Sequence, residues 1–180
     1  MRYLITLPWM PYPATDGGKQ GSFNMLMELQ NMIDITLIYP VFFKKQMACQ
    51  YLLEKQLPKV KVYPFEYYKN KDGIKSQYSL FRLHRIITRK FLKQPYLATP
   101  IYKDAYIDFV NEIIKKDRID IVQNEYFEQL YMVYAIPNTV KNVFIQHEIQ
   151  YIAKERLFQQ REYPSSVRYL ATMQRIQEIN

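Results

Sequence analysis

Five short apolar runs, rich in β-branched and aromatic residues, punctuate the chain and leave few architectures open to it. They are Tyr3 to Leu7, Ile35 to Tyr39, Val60 to Phe65, Ile119 to Gln123 and Val143 to Gln146. Runs this short and this continuously apolar suit strands covered on both faces. Between them, Met25, Leu26, Leu29, Met32 and Ile33 recur at helical spacing, as do Tyr102, Tyr106, Phe109, Val110 and Ile113. A strand–helix–strand order needs right-handed crossovers and favours a parallel sheet with helices on both sides. The expected fold is therefore α/β: a Rossmann-like three-layer α/β/α domain with a mainly parallel sheet.

The 180 residues, 48% of them hydrophobic, suffice for one substantial core, so residues 1–180 read as a single domain. Cys49 is the one cysteine and His84 and His147 the two histidines, which excludes an internal disulfide and a thiolate or histidine-rich metal cluster. No metal and no cofactor are expected. Pro8 interrupts the first apolar stretch before it reaches signal-peptide length, and no window approaches a membrane span. The expected location is the cytoplasm, with peripheral attachment to the inner face of the cell membrane as an option. Twenty-five Lys and Arg against 17 Asp and Glu give a net charge of +8, a bias toward phosphate esters, acidic lipid or nucleic acid. No RNA- or DNA-reading motif accompanies that charge, and nucleic acid is not expected as a partner.

Glu66 to Ser79, with its Asn70-Lys71-Asp72-Gly73 turn, reads as a surface excursion. A last helix is expected after Pro164-Ser165-Ser166, with Val167, Leu170, Met173 and Ile176 on one face. Its periodicity still runs at Asn180, which predicts a longer polypeptide.

Four segments could carry chemistry. Pro11 to Lys19 lies between the first strand and the first helix, and its Gly17-Gly18 pair could bring main chain close to a ligand while the helix's first amides face an anion. A two-glycine turn also simply solves tight loop geometry. The three spaced glycines of the dinucleotide fingerprint are missing, which disfavours a nicotinamide or flavin enzyme. Gln146-His147-Glu148 is placed at the end of the fifth strand; His147 could bind a sugar hydroxyl or stabilise developing positive charge, with Glu148 orienting it. The spacing alone fits a structural or capping role for His147 better. Asn124-Glu125-Tyr126 follows the fourth strand, where Glu125 and Tyr126 could line an acceptor pocket or Glu125 could cap the helix beginning near Phe127. Finally, Arg82, Arg85, Arg89 and Lys93 share one face of a helix from Ser79 to Lys93. Such a face suits anionic headgroups, though an ordinary solvated surface is the commoner reason for one.

Taken in order, Leu7-Pro8-Trp9-Met10-Pro11-Tyr12-Pro13, Gly17-Gly18, Ile119-Asp120-Ile121-Val122-Gln123-Asn124-Glu125 and Val143-Phe144-Ile145-Gln146-His147-Glu148-Ile149 resemble group 1 glycosyltransferases of family 4. The resemblance covers most of the chain. It implies the N-terminal, acceptor-side half of a GT-B architecture, with the donor-binding C-terminal domain absent from these residues and the isolated 180-residue chain inactive. It further implies a retaining, metal-independent transfer from a nucleotide-diphosphate-sugar donor to a saccharide or lipid-linked acceptor in cell-surface polysaccharide or glycolipid assembly. Gly17, Gly18 and the adjoining Lys19 would face the donor diphosphate or the attacking acceptor, and His147, with Glu148 beside it, would contact the donor sugar. The alternative of a different class is a non-catalytic Rossmann-like module that holds a phosphorylated ligand.

Overall fold

The computed structural model describes residues 1–69 and 103–147. By backbone proximity the chain divides into two units, Met1–Lys71 with Tyr102–Ile145 and Asp72–Ile101 with Gln146–Asn180. The first is a Rossmann-like α/β unit. Its elements are β1 (Arg2–Thr6), α1 (Gly17–Leu29), β2 (Asp34–Val41), a 3₁₀ turn (Lys44–Gln46) running into α2 (Met47–Gln56), β3 (Val60–Glu66), a 3₁₀ turn (Tyr67–Lys69), α3 (Lys103–Asp117), β4 (Ile121–Glu125), a 3₁₀ helix (Phe127–Tyr134) and β5 (Lys141–Ile145).

All five strands pair in parallel, in the order β3-β2-β1-β4-β5. Registers such as Tyr3 opposite Ile35 and Ile121 fix which residues share a face. Odd-numbered residues of β1 and β2, with Leu7 just past β1, turn to α1 and α2: Ile5, Leu7, Ile35, Leu37, Tyr39 and Val41 pack with Leu26, Leu53 and Leu57 in one buried cluster. The other face meets α3, where Phe65 contacts the Tyr106 and Phe109 rings at 5.3 and 5.4 Å and Asp117 accepts from Thr36 Oγ1. Apolar residues on both faces of one strand are what a doubly covered parallel sheet requires.

Several boundaries differ from the expectation, β2 running to Val41 and β5 from Lys141 to Ile145, and two more lie at helix ends. The periodicity counted Met32 with the first helix, but α1 stops at Leu29 and Met32 is 76% exposed in the turn beyond. Ile119 and Asp120 were assigned to the fourth strand, which instead begins at Ile121 and keeps Asn124 and Glu125 inside it. The cause is the way α3 ends. Arg118 takes a left-handed conformation (φ 51°), its N–H bonds the Lys115 carbonyl and the Ile119 N–H bonds the Ile114 carbonyl, so Arg118 and Ile119 belong to a helix-terminating turn. α2 escaped sequence reading because only Leu53 within it is fully buried. The last expected helix and most of the Glu66 to Ser79 excursion lie outside the described residues.

Candidate functional site

In an open parallel sheet, ligands gather outside the carboxyl ends of the strands where the strand order reverses. Here that point lies between β1, whose connection leads away to β2, and β4, its neighbour on the other side. Three pieces of chain meet there: the β1–α1 connection, the first turn of α1 and the residue that follows β4.

The glycines open α1 itself, with no left-handed φ at either of them. Asp16 caps the helix, its carboxylate accepting from the Lys19 N–H at 2.9 Å, while the Gln20 N–H takes the Asp16 carbonyl. That hydrogen bond, joined by one from the Lys19 side chain, holds the Asp16 carboxyl below the ordinary carboxylate range. The Lys19 ammonium sits 3.1 Å from the same carboxylate and donates to Thr15 Oγ1. A carboxylate already occupies the head of the helix, where an unaided anion would otherwise be drawn.

The two glycines differ in their surroundings. Nothing lies within 4 Å of a Cβ placed on Gly17, so its flank is open. On Gly18 the same atom would meet the Tyr126 hydroxyl at 3.3 Å, with Asp16 Oδ1 and Trp9 Cζ2 at 3.5 Å. Gly18 is there because the side chains of Trp9 and Tyr126 approach the helix closely.

Tyr126 is the hub. Its hydroxyl donates to the Gly18 carbonyl at 2.8 Å and lies 3.1 Å from Ser22 Oγ, and its ring packs on Trp9 with centroids 4.6 Å apart. Burial raises its pKa, opposed by the Ser22 hydrogen bond and reinforced by the charges of Glu125, Asp16 and Glu128. Its backbone, φ 69° and ψ 154°, falls in a region that is nearly reserved for glycine and costs about 1–3 kcal/mol for other residues. The Tyr126 N–H bonding the Ile145 carbonyl and the Gln129 N–H bonding the Tyr126 carbonyl hold it in place. Beside this hub the indole N–H of Trp9 is buried without a hydrogen-bond partner among the described residues.

Beneath it, the sheet carries an unusual amount of buried polarity. Thr6 Oγ1 donates to Asn124 Oδ1 at 2.7 Å, Asn124 Nδ2 to Asn142 Oδ1 at 2.7 Å, and Asn142 Nδ2 to the Val133 carbonyl at 2.9 Å. This chain of bonds ties the carboxyl ends of β1 and β4 to the first residues of β5. On the α1 face, the Tyr3 hydroxyl donates to Gln123 Oε1 at 2.7 Å, and Gln123 Nε2 donates to Glu125 Oε1. Glu125 is fully buried. Burial, then the Glu125 charge, raises the Tyr3 pKa.

Of the residues expected to form the site, the fold brings Gly18, Lys19 and Tyr126 together, with Gly17 at the open end and Glu125 beneath. Glu125 does not cap the 3₁₀ helix, because it is the last residue of β4 and Tyr126 intervenes. His147 follows β5 by two residues and belongs with the second unit. Glu148, Arg82, Arg85, Arg89 and Lys93 lie outside the described residues. Trp9 and Ser22 were not foreseen as part of the cluster; the spacing of Gly18 and Ser22, one helical turn apart, was the available signal.

A depression of about 310 Å³ lies on the opposite, amino-terminal edge of the sheet, lined by Arg2, Asp34, Thr36, Lys59, Lys61 and Asp117 among others. Its charges are largely spent on neighbours: Lys61 pairs with Asp117, Arg2 with Asp120, and Lys59 donates to Asn31. Among the described residues no group of acidic, histidine or cysteine side chains is arranged to hold a metal ion, and no helix is long and apolar enough to cross a membrane. No family model and no curated protein matches the sequence.

Proposed function

We propose that this protein supplies the acceptor-side half of a retaining glycosyltransferase, transferring a sugar from a nucleotide-diphosphate donor to a cell-surface polysaccharide or glycolipid acceptor. The observation that carries the reading is the meeting of the β1–α1 connection with the end of β4 at the reversal of strand order. Of the segments that resemble family 4 glycosyltransferases, residues 7–13 leave β1 at this carboxyl edge and residues 119–125 run through its neighbour β4 to the same edge.

The charge arrangement favours an acceptor over a diphosphate at the head of α1. Asp16 places a carboxylate there, which repels phosphate and can accept a hydrogen bond from a sugar hydroxyl. Gly17 leaves the approach unobstructed. In the transfer, the bond from the anomeric carbon to the donor phosphate breaks and a bond to the acceptor oxygen forms on the same face. The acceptor proton passes to the departing phosphate. Catalysis by such a site depends on stabilising leaving-group and oxocarbenium charge, while the resemblance has His147 contact the donor sugar.

The test is transfer from a panel of nucleotide-diphosphate sugars, assayed on these 180 residues and on the full reading frame. Activity of the full frame, with His147→Ala lowering turnover at unchanged melting temperature, supports the proposal. A full frame that binds nucleotide sugars yet neither transfers nor hydrolyses them favours the non-catalytic binding module.

A further inference from the structure

The outer face of α2 and the turn before it is not used by the core. Phe43 is 61% exposed, Tyr51 70% and Leu52 45%, while Leu53 and Leu57 on the inner side are buried against the sheet. Tyr51, Leu52 and Lys55 share that outer side of α2 by helical spacing, and Lys44 and Lys45 are exposed in the 3₁₀ turn that leads into it. Lys45 extends over the Phe43 ring, 5.8 Å from its centroid. The face thus holds three apolar side chains among three lysines. The nearby acid, Glu54, accepts a hydrogen bond from Gln50.

We propose that this face seats the protein on anionic lipid bilayers. Aromatic and leucine side chains beside lysines are the composition that lies at a membrane interface, the rings entering the headgroup region and the ammonium groups reaching lipid phosphates. A second copy of the chain fits poorly, because an isologous contact would set these lysines against their own counterparts. Single-stranded nucleic acid fits poorly as well, since its bases stack on aromatics lining a groove, whereas here the rings ride a convex helix next to an aliphatic side chain. The face starts where the chain leaves β2, on the same carboxyl edge as the candidate site. The inference depends on exposure and charge alone and stands apart from the transfer reading. It also uses none of the basic residues between Arg82 and Lys93.

Co-sedimentation of the whole chain with vesicles of phosphatidylcholine, with and without an equal share of phosphatidylglycerol, tests it. Binding is expected only with the anionic lipid. Each lysine near such a surface contributes roughly fivefold to partitioning. Joint Lys44→Glu, Lys45→Glu and Lys55→Glu replacement is therefore expected to reduce binding by well over an order of magnitude. Joint Phe43→Ser, Tyr51→Ser and Leu52→Ser replacement removes the part of the binding that survives added salt. These positions are exposed, so circular dichroism should show both variants folded. As a check that does not depend on the triple variants, Tyr51→Trp should add blue-shifted emission on anionic vesicles above the constant Trp9 background. Equal binding to neutral vesicles, wild-type binding by both triple variants, or Tyr51→Trp emission unchanged in sedimenting protein overturns the proposal. So does retention, through these lysines, of an oligonucleotide or a second copy in place of vesicles.

Discussion

Gly17 and Gly18 are adjacent in sequence and unlike in role. Neither is required for a left-handed backbone, so each can be replaced without φ strain, and the difference lies in what a methyl group would touch. At Gly17 it meets open space, and Gly17→Ala should be neutral or stabilising by up to about 1 kcal/mol through helix propensity. At Gly18 it comes within 3.3 Å of the Tyr126 hydroxyl, which must yield by a few tenths of an ångström, while the Trp9 ring at 3.5 Å is in ordinary contact. Gly18→Ala should therefore gain less or lose stability, and urea denaturation of the two variants side by side reads the contrast. Arg118 presents the opposite case, a bulky residue at φ 51° closing α3. Arg118→Gly should stabilise the protein by about 0.5–1 kcal/mol, seen as a higher denaturation midpoint at unchanged slope.

At the level of single elements, α1 is held at its first turn. Asp16 supplies the cap, and its lowered pKa fixes the sign of the pH dependence. A carboxyl whose folded pKa lies below its unfolded value adds stability above the unfolded pKa and loses it as pH falls through the folded one. Asp16→Ala should thus be destabilising at neutral pH, with the gap to wild type closing as the solution is acidified through and below the ordinary Asp range. Asp16→Asn keeps a capping group and should lose little at neutral pH. Denaturation of the three proteins across pH separates this cap from Asp120, whose pKa is also lowered by accepting from the Arg2 N–H. The 3₁₀ helix after β4 could not have been assigned a role from its own residues. What matters about it is the strained entry at Tyr126, held by bonds to β5 and α1 that are nineteen and 108 positions away in sequence.

Taken whole, the described sheet unit is organised around β1, the strand at which the order reverses. Ile5, fully buried with α1 packed over it, should be costly to truncate: Ile5→Ala is expected to remove about 2–5 kcal/mol, measured by denaturant unfolding of the full chain. How much of this was legible beforehand follows from the range of the forces involved. Five apolar runs alternating with helical periodicity are local patterns, and local pattern suffices to specify the strands, α1, α3 and the parallel class of sheet, because burial of a period-specific face drives each of them; α2, with Leu53 alone fully buried, leaves no such pattern. The candidate site was legible only as a set of sequence positions. That the Tyr126 hydroxyl meets Gly18 depends on a contact 108 positions long, and the burial of Glu125 on closure of the layers over β4, whereas the Asp16 cap spans three residues and was written in the local sequence. The amino-acid order alone settled the alternation of elements, since that is written in nearest-neighbour chemistry. Tertiary packing decided which side chains face one another at the sheet's carboxyl edge, since register and strand order are fixed only when the layers close.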